Sequence, residues 1–133
     1  NTVDIETGQL ASERGSTEQL RQFGLMLMRD HQAVRQQGRD LAAKLRVTPT
    51  PPADTSAAHD HHMAMRRLRG LSGVAFDRAF LEHEIAFHKA VIDAVTTTLL
   101  PAIDNAEVKA LVEKVAPAFV AHQKAAESLL AKI

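Results

Sequence analysis

Apolar side chains recur at intervals of three, four and seven residues along most of this 133-residue chain. That spacing places them on one face of an α-helix, and no stretch shows the alternation of apolar and polar residues that is typical of a strand. Glycines and prolines separate the periodic segments. The pattern predicts an all-α fold whose helices cover about Val3–Arg14, Leu20–Leu45, Ser56–Arg69, Phe76–Leu99 and Asn105–Ile133, with Ser16 or Thr17 capping the second.

Length and composition exclude several classes of protein. A chain of 133 residues suits a single domain, which we expect to cover residues 1–133, and the proline-rich residues 48–55 are predicted to link the second and third helices. Sixteen basic residues balance sixteen acidic ones, so no nucleic-acid partner is expected. No apolar run approaches the roughly 18 residues that span a bilayer, so this segment is not expected to insert into a membrane. The chain has no cysteine, which excludes thiolate metal ligands.

Three histidines lie at the centres of three different helical patterns. His31, His88 and His122 each occupy a position where the apolar repeat would otherwise take a leucine. A lone histidine of this kind is usually a core residue bonded to a backbone carbonyl. Three of them with carboxylates nearby instead predict a metal site, because the core of a helical bundle is where such sites are built. Glu84 lies four residues before His88 and therefore shares its helix face.

The first helix is expected to supply a further carboxylate. Asp4 and Glu6 are the candidates, and counting residues from the turn at Gly15 places Asp4 nearer the level of His31. Asp4 also lies on a face of small residues suited to close helix packing, whereas both carboxylates could simply favour the helix dipole. The same counting around Pro101 aligns His122 with Glu84. Zinc is the favoured ion, with copper or iron as alternatives, and the predicted ligands are Asp4, Glu6, His31, Glu84, His88 and His122.

A second histidine-rich tract lies in the short third helix. Imidazole together with thioether is a ligand combination that suits copper. The alternative is a polar helix face whose methionines fill gaps in the core. His61 or His62 could also join the central site. The tract predicts a second metal site formed by His59, His61, His62, Met63 and Met65.

Several stretches together resemble a known family. They are Asp4–Ala11, Met28–His31, Leu71–Phe80, His88 and Pro117–His122. These stretches look like the bacterial domain of unknown function numbered 4142, a family predicted to be exported and similar to ferritin-like helical bundles. The resemblance covers nearly the whole chain. It implies a ferritin-like four-helix bundle with an additional short helix, and a periplasmic or secreted protein whose signal peptide has been removed.

The resemblance also implies site residues. The acidic position in the family's first helix corresponds to Asp4, its recurring histidines correspond to His31, His88 and His122, and His61 corresponds to a further histidine that is frequent in the family. The chain departs from the family's pattern at two positions. Phe80 replaces a frequent tyrosine, and Glu84 replaces a residue that is commonly apolar. Glu84 is therefore expected to be specific to the site of this protein.

These observations favour a metal-binding protein without turnover that sequesters or senses zinc or copper. One alternative is a ferritin-like oxidase or hydrolase, although the di-iron enzymes of that fold use Glu-x-x-His pairs and Glu84 to His88 is one residue longer. Another is a structural or stress-response bundle that binds no metal. No catalytic residue and no organic cofactor is predicted. The even surface charge leaves open a homodimer through exposed apolar helix faces.

Overall fold

A computed structural model describes residues 1–48 and 56–133, so the predicted linker lies outside the described residues except for Thr48. No strand occurs within these two ranges, which confirms the all-α prediction, whereas the ferritin-like bundle and the single domain stay predictions. In the same ranges, no helix is long and apolar enough to cross a membrane. The helical elements are α1 (Thr2–Arg14), α2 (Glu18–Lys44), α3 (Ser56–Arg69), α4 (Gly73–Ala94), a π-helical turn (Val95–Leu99), α5 (Leu100–Ala102) and α6 (Ala106–Ala131).

The long helices begin at the polar residues that their sequences provide. Thr17 caps α2, where its hydroxyl oxygen accepts a hydrogen bond from the Leu20 backbone N–H at 3.2 Å. A hydrogen bond from Gln22, together with the nearby Arg21 guanidinium, holds the pKa of Glu18 below its ordinary value. Asn105 caps α6, where its side-chain oxygen accepts hydrogen bonds from the backbone N–H groups of Glu107 and Val108.

The chain divides into two compact units, Asn1–Phe80 and Leu81–Ile133. In the first unit, α1 and α2 cross at a pair of glycines. A Cβ atom added to Gly24 would lie 2.6 Å from the Gly8 carbonyl oxygen, and one added to Gly8 would lie 2.7 Å from the Gly24 carbonyl oxygen. Neither position has room for a side chain. The small residues of α1 therefore allow the two backbones to touch.

A buried carboxylate joins the start of α4 to the loop between α1 and α2. Asp77 accepts a hydrogen bond from the Ser16 backbone N–H at 3.0 Å and a second one from the Ser16 hydroxyl. Beside it, the Phe80 ring stacks on Phe76 at 6.0 Å and meets Phe23 edge-on at 6.2 Å. The Asp77–Ser16 hydrogen bonds and the packing of the phenylalanine rings together hold the first turns of α4 within this unit.

The second unit consists of the rest of α4, the π-helical turn, α5 and α6. The chain stays helical through Pro101 to Ala102, so the reversal towards α6 falls at residues 103–105. An apolar cleft of about 460 Å³ lies in this unit, lined in part by Ile92, Pro117 and Phe119. Pro117 is inside α6. This unit positions Glu84, His88 and His122.

Candidate metal centre

Glu84, His88 and His122 are buried together in the second unit. Their exposed fractions are 0%, 1% and 3%. The His88 Nδ1 atom lies 3.3 Å from the Glu84 Oε2 atom, and the rings of His88 and His122 have centroids 5.6 Å apart. Ligand atoms of His88 and His122 lie within 4.8 Å of each other, as do those of Glu84 and His88. His88 is thus close both to a carboxylate on α4 and to an imidazole on α6.

The backbone of α4 sets the tautomer of His88. Its Nδ1 atom is 2.8 Å from the Glu84 carbonyl oxygen. A carbonyl oxygen only accepts hydrogen bonds, so Nδ1 carries the proton and donates it. The neutral ring then has its lone pair on Nε2, through which this tautomer could bind a metal. Metal-binding histidines commonly donate their other ring N–H to a carbonyl or a carboxylate in this way.

Aromatic rings surround His88. Phe87 and Phe119 meet its ring edge-on, with centroid separations of 6.1 Å and 6.3 Å. Burying an ionised carboxylate such as that of Glu84 in such surroundings is costly unless a positive charge compensates it. A divalent cation bound beside Glu84 would provide that charge. Glu84, His88 and His122 are thus residues that could hold a cation.

A second buried pair lies in the first unit, where α1 meets α2. The Asp4 Oδ2 atom is 3.6 Å from the His31 Nδ1 atom, and both side chains are almost fully buried. The same nitrogen is 2.8 Å from the Asn1 Oδ1 atom. This geometry puts the His31 proton on Nδ1, facing Asn1 and Asp4, and the lone pair on Nε2. Asn1 was not predicted because it precedes the helix and belongs to no periodic pattern.

The other predicted ligands lie elsewhere in the first unit. The Glu6 Oε2 atom is 2.7 Å from the His61 Nε2 atom, so Glu6 pairs with α3. His59, His62 and Met63 are exposed, whereas Met65 is buried. The five residues of the histidine-rich tract therefore occupy different environments, and the structure brings only His61 against a predicted carboxylate.

The alignment of His122 with Glu84, counted around Pro101, differs from the structure. The His122 ring lies beside His88, one helical turn further along α4. The reason is that the chain remains helical past Pro101 and reverses at residues 103–105. A later reversal shifts the facing residue by about one turn. His83, which was not among the predicted ligands, stacks its ring on Phe87 with a centroid separation of 6.1 Å.

Comparison with known protein families decides the relationship of this chain. The model of a domain of unknown function, DUF4142, matches residues 1–129. The chain belongs to the DUF4142 family. This confirms the resemblance drawn from the sequence segments, and the match covers both the Asp4–His31 pair and the Glu84–His88–His122 cluster. No curated protein and no solved structure shows a significant match to this member of the DUF4142 family.

Proposed function

We propose that this protein is an exported metal-binding helical protein that sequesters or senses a divalent transition metal, and that the metal is zinc. The observation that carries the proposal is the burial of His88 in the second unit with Glu84 and His122, each of which has a ligand atom within 4.8 Å of one on His88. Burying three side chains of metal-binding types away from solvent costs free energy that apolar core residues would not. Binding a cation explains that cost.

The donor atoms favour zinc. Two imidazole nitrogens and one carboxylate oxygen are a set that zinc uses in proteins, at distances of about 2.0 to 2.2 Å. Iron and copper also accept imidazole and carboxylate, and affinity for a given site follows the general order of the divalent ions, in which copper binds more tightly than zinc. Copper and iron are therefore the alternatives. Zinc is preferred because these donors include no thioether.

The Asp4–His31 pair supports the same function from the first unit. The Asp4 carboxylate lies 3.6 Å from the His31 Nδ1 atom, which carries the ring proton and leaves the lone pair on Nε2. The Glu84–His88 pair combines a buried carboxylate and an imidazole in the same way. The sequence prediction that all these residues share one ion is tested by stoichiometry. One zinc per chain that is lost in variants of either pair agrees with a shared ion. Two zincs per chain, each lost separately, contradict it.

Holding a metal accounts for the site better than turnover does. A catalytic zinc keeps an open position for water or substrate. The three ligands of the second unit are at most 3% exposed, which limits access of a substrate to a bound ion.

The proposal that the protein is exported to the periplasm or to the medium rests on the family resemblance. Fractionation of the native host with an antibody against this protein tests it, and a cytosolic signal would contradict it.

Calorimetric titration of the tag-free protein with zinc tests the function directly. Glu84→Gln keeps the shape of the side chain and removes its charge, and Glu82→Gln makes the same change at an exposed position of the same helix. Mutation of residues that merely orient a ligand already weakens affinity by about 10- to 100-fold, so we expect Glu84→Gln to weaken zinc binding at least tenfold. Glu82→Gln should bind as the wild type does. Equal binding by both variants would contradict the proposal.

A further inference from the structure

The contact between His61 and Glu6 leaves the other ring nitrogen of His61, Nδ1, buried. The His61 Nε2 atom lies 2.7 Å from Glu6, and the His61 side chain is 15% exposed although its neighbour His62 faces solvent. A neutral His61 donates its Nε2–H to the Glu6 carboxylate and keeps its lone pair on Nδ1. That Nδ1 atom is buried and has no hydrogen-bond partner among the described residues. A buried nitrogen lone pair without a donor is a potential metal ligand.

A thioether lies on the same side of α3. Met65 follows His61 by four residues, so the two side chains are neighbours on the helix surface. Met65 is 4% exposed and lines a cleft of about 200 Å³ together with Glu6. Met63, the other methionine of the tract, is 48% exposed. Of the five residues that the sequence grouped here, Met65 lines the cleft next to α1, and His61 contacts Glu6, which lines the same cleft.

We propose a second metal site in the first unit, in which the His61 Nδ1 atom and the Met65 thioether bind copper(I). Thioether is a soft ligand that selects copper(I), and one imidazole completes a low-coordinate site for that ion. Glu6 is a positioning residue: by accepting the Nε2–H hydrogen bond it fixes the ring and makes Nδ1 a stronger donor. His59, His62 and Met63 take no part. This site shares no ligand with the Glu84–His88–His122 cluster and does not depend on its function.

Competition with a chromogenic copper(I) chelator such as bicinchoninate, under anaerobic conditions with ascorbate, tests this site in the tag-free protein. The decisive variants are Met65→Leu and His61→Ala, and the matched controls are Met63→Leu and His62→Ala. We expect each decisive variant to weaken copper(I) affinity at least tenfold and each control to leave it within twofold. Glu6→Gln should weaken it by about 10- to 100-fold because the ring loses its charged acceptor.

X-ray absorption at the copper edge separates a ligand from a merely structural residue. The wild type and Met63→Leu should show copper–sulfur scattering, and Met65→Leu should lose it while its circular dichroism stays unchanged. Equal affinity in Met65→Leu and Met63→Leu would overturn the proposal, as would a wild type that fails to compete with the chelator. Glu84→Gln should keep its copper(I), so failure of the zinc centre and failure of this site are distinguishable.

Discussion

Glu84 is a carboxylate with no exposed surface, on a helix face that also carries the buried Leu81. Burying an ionised carboxylate there is costly for folding because charge is removed from water, and the proposed metal binding would account for that cost. The neighbouring His88 is oriented by a backbone carbonyl, so its geometry is set by the helix itself. Together they form a buried pair on one helix. Both residues belong to one helix face, which is why their pairing is readable from the sequence.

Because burying the Glu84 charge is costly, we expect Glu84→Gln to stabilise the metal-free protein while it weakens metal binding. In metal-free protein, Glu84→Gln removes a buried charge, and we expect the free energy of unfolding to rise by about 1 kcal/mol, as is common when a functional site is relaxed. Urea denaturation in the presence of a chelator measures it, with Glu82→Gln as the control. A loss of more than 1 kcal/mol in Glu84→Gln alone would show that its carboxylate serves the fold rather than a ligand.

Single side chains were predictable where one helix brings them together and unpredictable where the tertiary fold does. The spacing of four residues was enough to pair Glu84 with His88. The contact of Asn1 with His31 depends on the crossing of two helices, which no local pattern encodes. The contact of Asp77 with Ser16 likewise depends on the tertiary fold. The sequence placed Asp77 in a segment that resembles the family but did not predict its role as a buried hydrogen-bond acceptor.

At the scale of elements, the closest packing in the first unit is the crossing of α1 and α2 at Gly8 and Gly24. The small-residue face of α1 indicated close packing, but its partner glycine in α2 was not singled out. A methyl group at Gly24 would lie 2.7 Å from the Ser12 backbone nitrogen, and neither backbone can yield locally. The sequence shows which face is small, and the tertiary structure shows what approaches it.

Two alanine substitutions in the same helix test this crossing. Gly24→Ala should lower the free energy of unfolding by about 1 to 3 kcal/mol, the usual cost of overpacking. Gly38→Ala, in α2 where an added Cβ meets nothing within 4 Å, should be neutral or should stabilise by about 0.4 to 1 kcal/mol because alanine favours helix. Thermal and urea denaturation provide both values. Equal effects at the two glycines would refute a tight crossing.

The anchor between Asp77 and Ser16 is a second test at this scale. Asp77→Ala leaves the Ser16 N–H without its carboxylate acceptor, and we expect a loss of about 1 to 3 kcal/mol in unfolding free energy. Asp93→Ala, at an exposed position of the same helix, is the control and should change stability by less than about 0.5 kcal/mol. Similar losses in both variants, measured by urea denaturation, would argue against a specific role of Asp77.

The position of the chain reversal shows why the alignment of α4 with α6 escaped prediction. A proline normally ends a helix within a residue or two, so Pro101 indicated an early turn. The chain instead passes through a π-helical turn and places Pro101 in the first turn of α5, where a proline needs no N–H partner. The reversal then falls later and brings His122 beside His88. A π-helical turn leaves no clear signal in a single sequence.

At the scale of the whole molecule, metal binding should couple to folding. An ion that binds only the folded state stabilises it, by about 2.7 kcal/mol when its concentration is 100 times the Kd. Zinc should therefore raise the Tm of the wild type, and a chelator should reverse the increase. Acid should weaken the effect because imidazole binds metal only when it is neutral. The Tm of His122→Gln should not respond to zinc, and an unchanged response in this variant would contradict the assignment.

Association of two chains belongs to the same scale. The second unit exposes large apolar side chains, with Leu99 45% and Val120 37% exposed. The homodimer expected from the sequence stays a prediction. Light scattering after size-exclusion chromatography, with and without zinc, tests it: a mass near 29 kDa would agree with two chains of 14.5 kDa each, and a mass near 14.5 kDa at high concentration would contradict it.

Anomalous diffraction at the zinc edge would show whether Glu84, His88 and His122 are metal ligands. Crystals of the tag-free protein grown with one equivalent of zinc should show an anomalous peak about 2.0 to 2.1 Å from a ring nitrogen of His88 and of His122, with a Glu84 oxygen at a similar distance. A well-occupied zinc peak elsewhere in the molecule, with none between these side chains, would contradict their role as metal ligands.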